Sequence, residues 1–497
     1  MIAHIPHFID GDKIPAIGDK KYSVYNPAKG EITAYVSPAT ETQIESAIAA
    51  AKKAFLTWSH YPALKRARIL FQFKTLLENN LDNIAQLLTA EHGKTIEDAK
   101  GEVGRAIELV EFSCGTPHLL QGSYSENVVK GVDTHTVKQA LGICVGISPF
   151  NFPVMISMWM AIPAIACGNT FILKPSEKDP STTVLLAQLL HEAGLPKGVF
   201  SVLQGDKETV QQLITHSDVV AVSAVGSTPV AEYIYRTAIS HGKRTHTFGG
   251  AKNHCVVMPD ADIDEVSNAV LGAAFGAAGE RCMAISVVVA VTDLVANTLV
   301  EKLQNAMRTL VVAPGSQNTV DMGPLITAEH LSRVKDHVAS GVADGATLIV
   351  DGRALTIPDH EQGFFMGPCL FDRVTPSMRI YREEIFGPVL CIVRLNALEE
   401  AITLINQNEY GNGVSIFTHD GGAAREFASR VTVGMVGVNV PIPVPVTYHT
   451  FGGWKRSFFG DIALHAEDNV RFYTRSKTIT TRWPNRASEA AFHMISH

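Results

Sequence analysis

The chain reads as an α/β protein with two parallel-sheet units and a separate strand-built arm. From about residue 141, short apolar strands alternate with amphipathic helices, and a second such unit runs to about residue 445. Two polar, alternating stretches, 128–139 and 471–481, fit neither unit. Strand–helix alternation predicts parallel strands joined by helical crossovers. Polar strands outside a core are suited to pairing with another subunit.

The elements follow in order. Thr40-Glu-Thr-Gln43 predicts a capping box, and Ile44, Ala47, Ile48, Ala51 and Phe55 then recur at helical spacing. Strands are expected over 141–147, 170–173, 199–203 and 219–223, with helices over 182–193, 207–216 and 229–239 between and after them. A helical run over 261–278 and a strand over 286–291 begin the second unit.

Bulk properties exclude several classes. The 497 residues suggest about three domains. The formal charge of −7 gives no reason to expect a nucleic-acid partner. The N-terminal residues lack a basic region followed by an apolar core, so no signal peptide is expected. The most apolar stretch, 154–167, is too short to span a bilayer and contains Pro163, so no membrane partner is expected. Seven scattered cysteines without a Cys-x-x-Cys pair indicate no metal site and fit a reducing, cytoplasmic setting.

Cys282 differs from the other cysteines because it follows Gly279-Glu-Arg, a polar interruption after Ala273-Ala-Phe-Gly-Ala-Ala278. Taken alone, the burial habit of cysteine favours a buried structural residue over a nucleophile. Asn151, in Ser148-Pro-Phe-Asn-Phe-Pro153, either closes a turn or donates its amide to a developing oxyanion. Lys174 ends an apolar strand with Glu177 nearby, where parallel sheets bind ligands, or is a solvated strand-end lysine. Gly226-Ser227 leaves a strand and enters a helix, which is either an anion site or an ordinary cap. Glu384 and Phe386, in Glu384-Ile-Phe-Gly-Pro388, offer a carboxylate and a ring, or an acidic turn and a core residue.

The ordered set resembles the aldehyde dehydrogenase superfamily from Asn26-Pro27 to Trp483: the six segments around Asn151, Lys174, Ser227, Lys252, Cys282 and Glu384 occur in that family's order. The resemblance implies an aldehyde-dehydrogenase-like fold, with an NAD-binding domain over 1–125 and 145–256 and a catalytic domain over 257–447. An oligomerisation arm and C-terminal tail would occupy 126–144 and 448–497. It further implies Cys282 as nucleophile and Asn151 in the oxyanion hole. Phe150, Phe152, Lys174, Glu177, Gly226, Ser227, Glu384 and Phe386 would lie at the cofactor, and the assembly would be a homotetramer.

One departure stands out. The family places a glutamate four residues before the lysine of Glu-Leu-Gly-Gly-Lys, but this chain reads Phe248-Gly-Gly-Ala-Lys252. Alignment on Lys252 puts Phe248 at the glutamate position; alignment on the two glycines puts Thr247 there. Neither is a general base. Without one, an acyl-enzyme resists water and waits for a better nucleophile. The chain is similar in this to the coenzyme A-acylating methylmalonate-semialdehyde dehydrogenase branch. Ala251-Lys-Asn-His254, Ser457-Phe-Phe-Gly460 and Phe472-Tyr-Thr474 are further marks of it.

That branch implies NAD and coenzyme A as co-substrates, with a carboxylated semialdehyde held by Arg105 and Arg281. Arginine suits a carboxylate through its planar fork. Arg105 is also placed to bridge Glu102 and Glu108 on one helix surface. Two rival readings are a hydrolytic aldehyde dehydrogenase using another base, His254 or Glu384, and a catalytically silent dehydrogenase-like binding protein.

Overall fold

The computed structural model describes residues 2–483; the remainder of the expected C-terminal tail, 484–497, lies outside the described residues. Thr40 caps the helix Glu41–Trp58 as anticipated. Its hydroxyl accepts from the Gln43 N–H at 3.3 Å, and the Gln43 side chain accepts from the Thr40 N–H at 3.0 Å.

The first sheet has eight strands. Its parallel centre runs Arg244–Phe248, Val219–Val225, Ile143–Ile147, Thr170–Lys174, Phe200–Val202. Helices cover both faces, so Ile143–Ile147 and Thr170–Lys174 are buried throughout and read as continuous apolar runs rather than alternating ones. The second, seven-stranded sheet is centred on Val389–Leu395, Ile285–Val291, Asn253–Val257 and Gly413–Phe417, again parallel.

Only residues 249–252 separate the last parallel strand of the first sheet from Asn253–Val257. The short link joins the C-terminal edge of one sheet to the N-terminal edge of the other. The segment with Asn151, Lys174, Gly226 and Phe248 all leave C-terminal strand ends of the first sheet. Cys282, Glu384 and Asn412 all precede strands of the second.

Three expectations need correction. The helical run 261–278 ends at Phe275; Ala277 and Ala278 take left-handed backbone angles (φ 50° and 53°), overriding alanine's helix preference. The stretch 128–139 is not one strand but the hairpin Tyr124–Val129 and Val132–Ala140, turned at Gly131 with φ 75°. In the stretch 471–481, the first three residues complete the helix Ala466–Tyr473, and the strand is Thr474–Arg482. That strand pairs antiparallel with Val132–Ala140 along its whole length. The segment before it returns to the first body: Phe458–Phe459 pairs with the strand Arg244–Phe248 at the sheet edge.

Among the described residues, no helix is long and apolar enough to cross a membrane.

Candidate active site

Cys282 follows a turn that the protein holds in an uncommon shape. Ala277, Ala278 and Gly279 are consecutively left-handed, a conformation that costs non-glycine residues about 1–3 kcal/mol each. Surrounding contacts enforce it. The Ala277 N–H donates to Asp98 at 3.1 Å. A Cβ on Gly279 would fall 2.3 Å from the Gly387 carbonyl oxygen, so the close approach demands glycine. The Asn253 and Asn412 carboxamides both donate to the Cys282 carbonyl, at 2.9 and 3.0 Å.

The Cys282 side chain lines a narrow crevice with Asn253, Gly279, Arg281, Glu384 and Phe386. Burial pushes its thiol up to about 12, and the Glu384 carboxylate adds to the rise. The N–H groups of Cys282 and Met283, with Arg281, act in the opposite direction. The other six cysteines are free and buried.

Asn151 is 4 % exposed and leaves the strand Ile143–Ile147 through the Ser148-Pro149 turn. Phe150 is half-buried. Its ring packs against His92, His330 and Phe386, with the Lys178 ammonium 4.5 Å from its centre. Phe152 carries the Lys94 ammonium 4.5 Å from its ring centre. Both rings brace the Asn151 segment.

Lys174 and Glu177 form an ion pair of 3.2 Å at the strand end. Burial would raise the Glu177 carboxyl, but Lys174, the Glu177 backbone N–H and Lys178 together outweigh it and hold the pKa below its ordinary value. Ser227 occupies the cap position of the helix Thr228–Ser240, yet its side chain makes no capping bond. Its exposed hydroxyl is therefore uncommitted, unlike an ordinary cap. Glu384 accepts from the Ala251 N–H at 2.9 Å, and a Cβ on Gly250 would fall 2.4 Å from its Oε2. The Gly-Gly pair thus admits the carboxylate. Burial pushes the Glu384 carboxyl up. Phe386 has φ 58°, and its carbonyl accepts from His330 at 2.7 Å.

The two alignments at the missing glutamate separate in space. The Thr247 hydroxyl donates to the Ala231 carbonyl at 2.9 Å, toward the helix Thr228–Ser240. Phe248, on the opposite face of the strand, packs against Phe458 and Phe451 at ring distances of 4.8 and 6.1 Å. These rings belong to the large apolar core that runs from Ile5 to Tyr473 and also holds Met283, with Cys282 and Phe152 among the residues at its margin. The wall continues from Phe451 to Trp159 and His465.

Arg281 is committed to Asp98, whose other oxygen takes the Ala277 N–H. Its guanidinium lies over Gly276, where a Cβ would meet Nη1 at 2.4 Å. Arg281 also lines a cavity of about 520 Å³ with Thr95, Asp98, Gly276 and Ile442. Arg105 lines neither cavity and pairs with Glu108 at 2.9 Å, as its helical spacing allows. It lies close enough to His465 to help burial hold that imidazole down at about 3.

Sequence reasoning missed Asp98, Asn253 and Asn412 as supports of the nucleophile turn, and Lys94 and Glu102 beneath the Asn151 segment. Asp98, Lys94 and Glu102 lie far from both motifs in sequence, and nothing local to them signals those contacts.

The Aldehyde dehydrogenase family model matches residues 14–479. The chain belongs to the aldehyde dehydrogenase family. It is 55 % identical over 485 residues to the malonate-semialdehyde dehydrogenase of Pseudomonas aeruginosa, covering 98 % of this chain and 97 % of the relative. A Sinorhizobium meliloti structure described as a methylmalonate-semialdehyde dehydrogenase complexed with NAD superposes with a TM-score of 0.97. It is 50 % identical, over 98 % of this chain and 99 % of that one. The methylmalonate-semialdehyde dehydrogenase of Oceanimonas doudoroffii superposes at 0.96 and 53 % identity, over 97 % and 99 %.

A thiol raised to about 12 is protonated at neutral pH and gains reactivity only as pH rises. Iodoacetamide labelling of Cys282 in the cofactor-free protein, followed by peptide mass spectrometry, should therefore rise steadily from pH 7 to about pH 10 without a plateau. Glu384→Gln should bring the plateau to lower pH. A plateau below pH 8 in the unaltered protein would contradict this environment.

Proposed function

We propose that the protein is an NAD-dependent, coenzyme A-acylating dehydrogenase of malonate and methylmalonate semialdehydes, releasing carbon dioxide and forming acetyl- or propionyl-coenzyme A. The observation that carries this reading is the Phe248 ring. Alignment on Lys252 gives it the position of the family's water-activating glutamate, and it is buried against Phe451 and Phe458.

The residues present fit NAD. Ser227 keeps a free hydroxyl at a helix N-terminus, suited to a pyrophosphate. Lys174 and Glu177 stand at a strand end, and Glu384 has a glycine-lined seat. The Lys174–Glu177 pair suits a ribose diol, and Glu177 disfavours a 2′-phosphate. NAD, when bound, supplies the hydride acceptor.

The chain's own residues do the rest. Cys282, once its thiol proton has passed to solvent, attacks the aldehyde carbon as thiolate, and the Asn151 amide with the N–H groups near the sulfur holds the oxyanion. Loss of hydride leaves a thioester on Cys282. The substrate carboxylate is then β to that carbonyl and departs as carbon dioxide. Its bonding electrons form an enolate whose oxygen occupies the same donors. Protonation at carbon gives the acyl-enzyme. The thiol of coenzyme A attacks it, the acyl group leaves on the new sulfur, and Cys282 is freed.

Arg281 is the carboxylate-binding group this reading needs, its guanidinium shared between Asp98 and the substrate. It lines both the Cys282 crevice and the 520 Å³ cavity. Arg105 is a second candidate, placed beside the aromatic wall of Trp159 and His465. A cytoplasmic homotetramer completes the reading. Its support is the strand Thr474–Arg482, mostly exposed and at the edge of its three-stranded sheet.

A hydrolytic second reading has one observation in its favour: Glu384 lines the same crevice as Cys282. The two readings part in single-turnover experiments. Without coenzyme A, one NADH per active site should form quickly and then almost none, and its addition should restore turnover to acyl-coenzyme A. Sustained turnover without it, with free acid as product, would establish the hydrolytic reading. Arg281→Leu should raise the KM for malonate semialdehyde by about 10-fold or more while changing that for propanal much less. An equal rise for both would remove the arginine from carboxylate recognition.

A further inference from the structure

The segment that carries Asn151 has no strand or helix of its own between Ile147 and Met155, so its shape must be imposed from outside. A buried ion pair does this. The Lys94 ammonium donates to Glu102 Oε2 at 2.7 Å and to the Asn151 carbonyl oxygen at 2.6 Å. The other Glu102 oxygen accepts from the N–H groups of Val154 at 2.8 Å and Met155 at 3.1 Å. These are donors that the helix Met155–Ala166 leaves without partners at its first turn, and the Val154 cap position supplies no side-chain bond. Lys94 also faces the ring of Phe152. Both charged side chains are 0 % exposed.

The pair therefore touches the Asn151 segment at both ends, through Asn151 itself and through residues 154 and 155. Its own anchorage is firm. The Lys94 N–H donates to His92 Nδ1 at 3.3 Å, and a Cβ on Gly315 would fall 2.3 Å from the Lys94 carbonyl oxygen. A buried ion pair is a poor route to stability, since well-packed apolar residues often serve as well. Its contacts suit directional placement instead.

We propose that Lys94 and Glu102 are positioning residues for the reaction, holding the Asn151 backbone so that its carboxamide meets the oxyanion. The inference rests on the assignment of Asn151 to the oxyanion site. The pair reaches the reacting atoms only through Asn151, so its effect on rate depends on that side chain.

A double-mutant cycle on the full-length enzyme tests this, reading the single-turnover NADH burst with malonate semialdehyde and, separately, NAD affinity. Asn151→Ala and Lys94→Met should each slow the burst by about 10- to 100-fold. NAD affinity of Lys94→Met should stay within about threefold, and adding Lys94→Met to Asn151→Ala should cost less than about threefold further. Full additivity would overturn the positioning role alone. A native burst in Asn151→Ala would overturn the oxyanion assignment and the positioning role with it. Should Lys94→Met fail to fold, Glu102→Gln runs the same cycle; it removes the charge and keeps an acceptor for Val154 and Met155.

Discussion

A thioester on an enzyme lasts only while nothing beside it can take a proton from water. In this molecule that condition comes from one strand. Alternation along Arg244–Phe248 sends the Thr247 hydroxyl toward a helix carbonyl and the Phe248 ring into an aromatic cluster with Phe451 and Phe458. In the proposed reaction that ring takes the place of a base, so no proton acceptor is left at this position. Glu384 remains in the crevice, but its carboxylate is tied to the Ala251 N–H. That bond favours a holding role over proton transfer.

The remaining architecture serves to bring two sheet edges together. The C-terminal edge of the first sheet supplies the Asn151 segment and the residues suited to a dinucleotide; the N-terminal edge of the second supplies Cys282 and Glu384. Parallel sheets place irregular backbone at their edges, and irregular backbone needs external support. The nucleophile turn has Asp98, Asn253, Asn412 and the glycine-only approach of residue 279. Burial pushes the carboxyl of Glu280, at the end of that turn, up to about 8 and that of Glu91 up to about 7. Placing charge there is costly, which makes the fully bonded Lys94–Glu102 pair the more telling.

Much of this was legible in the sequence, and the gaps have physical causes. The strands Ile143–Ile147 and Thr170–Lys174 were readable because buried parallel strands are continuous apolar runs. The helix through Ala278 was overextended because alanine's preference for helix yields to tertiary contacts at Asp98 and Gly387. The site segments themselves were found by their order along the chain, and Phe248 by a departure from it. Partners such as Asp98 and Glu102, on the helix Ile96–Cys114, and Lys94, in the loop before it, were invisible, since a charged residue reads as surface until its neighbours are known. Arg105 is a mixed case: its helical spacing offered both Glu102 and Glu108, and the structure contains the Glu108 pair while Glu102 turns to Lys94.

In the proposed reaction water clears the acylated sulfur slowly because Phe248 occupies the place of a base. The most direct measurement is the lifetime of acyl-Cys282, trapped without coenzyme A and followed by intact-protein mass spectrometry, in the native enzyme and in Phe248→Glu. The account predicts a long-lived adduct in the native enzyme and faster loss to free acid in the variant. Rapid clearance from the native enzyme, with acid released and coenzyme A absent, would contradict it.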